Sequence, residues 1–352
     1  MEIIFVVANM TGGGTERVIS VLANQFIAEG HQVGILMTAG DTVAYPLDPK
    51  IRLVSLGGQT GGSVLKRIGR IQKMRRFFKQ HKEAVICAMG IETNLFTVLA
   101  ARGLSNRVLI SERNDPGQCS YAAVRNFLYG MADVLVCQTT DAAKAFPGRA
   151  GKKSVVIPNP IAPDLPAPFH GERKKEIVAA GRLTPQKNHA LLLQAFSAFA
   201  PAHPEYTLVI YGKGELEQTL REQIRALHLE ERVKLPGFAE NLPEKIRESA
   251  MYVLSSDYEG ISNSLSEAMA MGLPVISTDC PIGGSKMCIR QGENGLLVPV
   301  GDKDALAQAM SRLAEEPSYA AKLGEEAEKL RDQYSVEAIS AKWISCMQKD
   351  PA

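Results

Sequence analysis

The chain has a single tryptophan, and aromatic residues make up only 6% of its 352 positions. They are too few and too poorly interleaved with basic residues for a base-stacking platform, so no nucleic-acid partner is expected. The six cysteines, Cys87, Cys119, Cys137, Cys280, Cys288 and Cys346, form neither a CxxC pair nor a dense framework. That spacing argues against structural disulfides and against a cysteine metal site, and a reducing, cytoplasmic setting is expected. No stretch approaches eighteen uninterrupted apolar residues, about the length that a membrane-crossing helix needs. The opening residues, MEIIFVVANM, lack a basic leader and a cleavage site, and they read as a first buried strand.

What is present is an ordinary globular composition, 45% apolar and 22% charged, in a chain long enough for two domains. The net charge of +2 hides an asymmetry. Residues 1–160 hold 19 Lys+Arg against 11 Asp+Glu, whereas residues 161–352 hold 21 against 27. Much of the basic excess lies in SVLKRIGRIQKMRRFFKQHK, residues 63–82, where eight Lys or Arg and no acid accompany Leu65, Ile68, Ile71 and Phe78 at near-helical spacing. Such a helix can rest on an anionic lipid surface as a peripheral contact or hold an acidic ligand. It can equally be a solvated helix whose apolar stripe packs on a sheet.

Short apolar runs alternate with helical patterns throughout. EIIFVVAN, VGILMTA, RLVSL, AVICAM, RVLIS, DVLVCQ and SVVIP are strands expected in the first half. EIVAAGR, TLVIYG, RVKLPG, YVLSS, PVISTD and GLLVPV are expected in the second. The alternation implies parallel sheets built from βαβ units. The proline-rich stretch over residues 161–175 reads as a linker between a domain over 1–160 and another over 176–334. The fold class is therefore α/β, with two doubly wound, Rossmann-like domains, ligands at the carboxyl ends of their strands and a cleft as the expected site.

Three loops carry chemistry. In VVANMTGGGTERV, Gly12, Gly13 and Gly14 separate the first strand from a helix beginning near Thr15. Glycine lets backbone N–H groups approach an anion, so the turn can hold a phosphate, although it matches neither dinucleotide-binding nor P-loop spacing and can be merely a tight turn. In AAGRLTPQKNHALLLQAF, Arg182 and Lys187 stand five residues apart beyond a strand ending at Gly181. A planar guanidinium and a compact ammonium suit a diphosphate, against the alternative of ordinary surface charges. In DYEGISNSLSEAMAMGLP, Ser264 and Glu267 read as a capping box, with Gly272 and Pro274 ending the helix. Glu259 precedes that helix in a loop where a carboxylate can accept hydrogen bonds from hydroxyls, and the loop amides can meet a phosphate or sugar oxygen.

GGGTERV, GRLTPQKN and EGISNSLSE followed by AMAMGLPVISTDCP together resemble the retaining glycosyltransferases of family 4, which have the GT-B fold. SERNDP and LYGMADVLVCQT resemble the bacterial members that build cell-surface polysaccharides. The resemblance implies that Arg182 and Lys187 bind the diphosphate of a nucleotide sugar, Glu267 the ribose hydroxyls, and Glu259 the donor sugar. It adds Gly13, Gly14, Gly181, Gly212, Gly260, Ser262, Asn263 and Ser264 to the donor pocket and Phe238 to the base. Arg182, Lys187 and Glu259 are the implied catalytic residues, with the leaving diphosphate accepting the acceptor's proton and no metal or other cofactor needed. A UDP-linked hexose or N-acetylhexosamine and a lipid-linked saccharide are the implied substrates. In the family the last helix, here 335–352, crosses back to the first domain, which makes Trp343 a packing residue.

Two departures stand out. Ser285 and Lys286 replace the proline and glutamate that many relatives carry, which puts donor selectivity in question. Where some members place a histidine near the acceptor, this chain offers Glu112 and Arg113, assigned here to the acceptor side against the alternative of a turn-supporting salt bridge. The competing readings are a non-catalytic nucleotide-sugar-binding or scaffold protein and a nicotinamide-dependent dehydrogenase. The second lacks its dinucleotide fingerprint.

Overall fold

The computed structural model describes residues 1–57 and 64–348. The chain divides into two compact units, the first over residues 1–160 with the helix that begins at Val336, the second over Ile161–Ser335.

The first unit is built on seven parallel strands, β1 (Glu2–Val7), β2 (Gln32–Met37), β3 (Arg52–Ser55), β4 (Val85–Met89), β5 (Val108–Glu112), β6 (Val134–Cys137) and β7 (Ser154–Val156). They lie in the order β3-β2-β1-β4-β5-β6-β7. In β1 every residue from Ile3 to Val7 is buried, as a central strand covered on both faces requires. The first three helices of this unit are α1 (Gly14–Ala28), α2 (Val64–Gln80) and α3 (Ile91–Ala101). The Val336–Met347 helix packs in this unit, with Ile339, Trp343 and Met347 in its core and Ser340 donating to the Glu29 carboxylate. Trp343 is thus a packing residue.

The second unit has six parallel strands, β8 (Lys174–Ala180), β9 (Thr207–Tyr211), β10 (Val233–Gly237), β11 (Ser249–Leu254), β12 (Val275–Thr278) and β13 (Leu296–Val298), in the order β10-β9-β8-β11-β12-β13. Both sheets reverse direction of growth once, between β1 and β4 and between β8 and β11. These reversals open a crevice at the strands' carboxyl ends, where doubly wound folds bind ligands.

Each of the thirteen expected strands is a strand here. Residues 161–175, expected as a linker, instead pack within the second unit. Ile161 and Leu165 lie in its core, the Ile161 amide donates to the Tyr334 carbonyl, and Arg173 donates to the carbonyls of Phe169 and Gly272. Proline breaks the periodicity of this stretch without preventing burial of its side chains. In α2, Arg70, Met74 and Phe78 form the buried face, while Val64 and Leu65 are exposed. Ser63, the first residue of the basic stretch, falls outside the described residues, as do residues 349–352 of the expected terminal helix.

Candidate functional site

The reversal of the second sheet brings together the two loops singled out in the sequence. Beyond β8, Gly181 leads into a turn that carries Arg182, a single 3-10 turn (Pro185–Lys187), and Asn188 in the left-handed region at φ 43°. Asn188 caps the His189–Phe199 helix, its Oδ1 accepting from the Leu191 amide at 3.1 Å, and its Nδ2 donates to Asp257 Oδ1 at 2.7 Å. Gln186 Nε2 donates to the Tyr258 carbonyl, the Asp257 amide to the Gln186 carbonyl, and Ser255 Oγ to the Lys187 carbonyl. The loop after β8 is thereby fastened to the loop after β11 by four hydrogen bonds.

At the centre of this latch Lys187 Nζ lies 2.6 Å from Glu259 Oε2, with 12% and 15% of the two side chains exposed. Ser256 Oγ donates to the same carboxylate oxygen at 3.3 Å. Low exposure strengthens the pairing by excluding water from it. Two glycines make room for it. A Cβ on Gly181 would come within 2.9 Å of Lys187 Cε, so the lysine stem lies directly across that residue, and a Cβ on Gly212 would collide with the Gly181 carbonyl. His189, next to the lysine, is buried, and burial together with the Lys187 charge pushes its pKa down to about 4. Its imidazole is therefore neutral.

The Asn263–Ala270 helix follows the Glu259 loop, and Glu267 is buried on it. Its start differs from the expected capping box. The helix begins at Asn263, which puts Ser262 at the cap position with no side-chain capping bond. Ser264, inside the first turn, receives the Tyr252 hydroxyl at 2.7 Å instead of capping. The end is as expected: Gly272 adopts φ 74°, and the Leu273 and Gly272 amides donate to the Ala268 and Met269 carbonyls, closing a Schellman motif. Gly260 is backed by Gly284, where any Cβ would meet the Gly260 carbonyl. Of the two departures, Ser285 is buried with its hydroxyl 2.7 Å from that of Ser277, while half-exposed Lys286 pairs with Asp279 at 3.0 Å. Phe238, one residue beyond β10, is 68% exposed, and the preceding Gly237 carbonyl accepts from the Gly212 amide.

The expected residues of the first unit are arranged differently. Gly13 is the N-cap of α1 without a side-chain capping bond, and the Glu16 carboxylate folds back against it. Glu112 and Arg113, at the end of β5, are both buried. Glu112 accepts from the Tyr129 hydroxyl and from the amides of Arg113 and Asn114, and burial raises its pKa. The Arg113 guanidinium donates to Asn159 Oδ1, which also receives Gln138 Nε2, and burial pushes its pKa down to about 10. The sequence reading missed the latch residues Gln186, Asn188 and Asp257. Asp257, two positions before Glu259, was the signal available for them.

The fold of two doubly wound units matches that of solved GT-B glycosyltransferases. Residues 12–165 match the family model for Glycosyltransferase Family 4 and residues 164–330 that for Glycosyl transferases group 1. An uncharacterized glycosyltransferase of Haemophilus influenzae is 24% identical over 95% of this chain and 96% of its own length. The GalNAc-alpha-(1->4)-GalNAc-alpha-(1->3)-diNAcBac-PP-undecaprenol alpha-1,4-N-acetyl-D-galactosaminyltransferase of Campylobacter jejuni is 26% identical over 98% and 97%. Among solved structures, Anabaena HepE in complex with UDP-glucose superposes with a TM-score of 0.82 at 20% identity, covering 98% of this chain and 99% of that one. The apo lipopolysaccharide outer core galactosyltransferase WaaB does so with 0.81 at 19% identity over 99% of each.

Proposed function

We propose that this glycosyltransferase moves a hexose or N-acetylhexosamine, with retention of configuration and without a metal, from a UDP-linked donor to a lipid-linked saccharide in bacterial cell-surface polysaccharide synthesis. The observation that carries the donor half is the Lys187–Glu259 contact at the reversal of the second sheet, with exposed Arg182 on the same connection as the lysine. A cation and a carboxylate held there in low exposure suit the two ends of a nucleotide sugar's reacting bond. The name of the Campylobacter relative, with its undecaprenol diphosphate acceptor, supports the lipid-linked half.

In this reading Arg182 and Lys187 hold the diphosphate and stabilise the charge that grows on it as the glycosidic bond breaks. Glu259 accepts hydrogen bonds from the sugar hydroxyls, and Glu267 from the ribose. Exposed Phe238 offers a face to the base. Gly13, Gly14, Gly181, Gly212 and the Gly260–Ser264 amides complete the donor contacts, and Glu112 and Arg113 shape the acceptor side from within. Transfer proceeds on one face of the sugar: the diphosphate oxygen takes the acceptor hydroxyl's proton while that hydroxyl bonds to the anomeric carbon. Exposed Val64, Leu65 and Ile68 among the cations of α2 suit a peripheral contact with an anionic membrane, on its cytoplasmic face.

Calorimetric titration with UDP-, GDP-, ADP- and TDP-sugars, with NAD as a control, tests the proposal. Selective binding of one UDP-sugar, lost in Glu267→Ala, is expected, and an α-linked product from an α-linked donor by NMR. Binding of NAD alone, or an inverted product, contradicts it.

A further inference from the structure

The reversal of the first sheet holds a cavity of about 210 Å³, at the carboxyl ends of β1, β2 and β4 and beside the first turns of α1 and α3. Its polar walls are Thr15, Glu16, Thr38, Arg70, Glu92 and Thr93, over a floor that includes Phe96. Arg70 reaches in from α2, 9% exposed, with its guanidinium 5.6 Å above the Phe96 ring and Nη1 4.0 Å from Glu92 Oε1. Glu16 arrives from α1 and Glu92 from the first turn of α3.

Size and charge narrow what this space can take. Its volume lies below the roughly 300–1,000 Å³ of sites for drug-sized ligands. That suits a single monosaccharide ring. Two carboxylates line it, Glu92 lying 4.0 Å from buried Arg70 and 3.8 Å from half-exposed Arg67, so no net positive charge is left to draw a phosphate or uronate, whereas hydroxyls would find two carboxylates and three threonine oxygens as acceptors.

We infer that this cavity is the subsite for the terminal, neutral sugar of the acceptor, with Glu16 and Glu92 accepting hydrogen bonds from its hydroxyls and Arg70 bracing Glu92 against Phe96. The inference rests on the transferase reading above. It also gives Gly13 a duty beyond its donor contact. Gly13 has ordinary backbone angles, φ −91° and ψ 174°, that any residue can adopt, yet the Glu16 carboxyl carbon lies 3.2 Å from where a Cβ would stand. The glycine thus leaves the space that the Glu16 carboxylate occupies at the cavity edge.

The experiment is saturation-transfer NMR on the full chain with UDP saturating, using the methyl α-glycosides of glucose, galactose, mannose, N-acetylglucosamine and N-acetylgalactosamine as probes. At least one glycoside should bind with millimolar affinity, weakened ten-fold or more in Glu16→Gln and in Glu92→Gln. Gly13→Ala, which keeps the carboxylate but displaces it, should weaken the same glycoside comparably. UDP titrations of Glu16→Gln and Glu92→Gln should overlay that of the wild type. Glycoside binding unmoved by all three variants, or no glycoside bound by a protein that binds UDP, overturns the inference alone. A wild-type protein that binds no UDP removes the transferase reading beneath it.

Discussion

The two sheets reverse at corresponding places, yet the side chains gathered there differ in kind. At β8/β11 a lysine and a glutamate touch at 2.6 Å, and four hydrogen bonds between the flanking loops hold them there. At β1/β4 two carboxylates and a buried arginine surround open space. Topology decides where a ligand can meet each unit, and the loop side chains decide which one. A preformed ion pair suits a charged diphosphate that can replace one partner, and an acid-lined hollow suits a neutral polyol.

The comparison breaks most sharply if Lys187 is removed. Lys187→Ala should cut kcat/KM for the nucleotide-sugar donor by about 100-fold or more, as loss of a preorganised charge contact does, and wild-type-like kinetics would remove the lysine from the mechanism. Gly212→Ala tests the close approach that supports it. Its Cβ meets the Gly181 backbone, so unfolding stability should fall by about 1–3 kcal/mol, and denaturant melts matching the wild type would show the contact to be slack.

A smaller effect comes from His189, buried beside the lysine. Its folded pKa of about 4 lies below the ordinary 6.5, so between those values the unfolded chain binds the extra proton. Stability should therefore decline as pH falls from about 6.5 towards 4, by up to about 3 kcal/mol from this residue. Glu112 works the other way, since its raised pKa loses stability as pH rises. Comparing pH-dependent melts of the wild type and His189→Gln isolates the first contribution, and identical slopes would contradict it.

Much of this arrangement is legible in the sequence because it is local. Apolar runs marked all thirteen strands, and Gly272 followed by Pro274 marked the end of its helix, where the glycine adopts φ 74°. Arg182, Lys187 and Glu259 stood out as charges just beyond strand ends. What was hidden depends on partners distant in sequence. Residues 161–175 look like a linker until Tyr334 and Gly272 supply the carbonyls that Ile161 and Arg173 bond. Ser264 fits a capping box until Tyr252 claims its hydroxyl. Glu16, Arg70 and Glu92 come from three different helices, and no spacing rule joins them.

The central claim is that Lys187 is stored on Glu259 and passes to the donor diphosphate. Calorimetric titration of UDP onto Glu259→Gln tests it most directly. Neutralising the carboxylate removes both the competitor for Lys187 and a charge that repels the diphosphate, so UDP should bind more tightly than to the wild type, by about ten-fold or 1.4 kcal/mol. Equal or weaker binding would contradict the claim and make Glu259 a support for the lysine rather than its temporary partner.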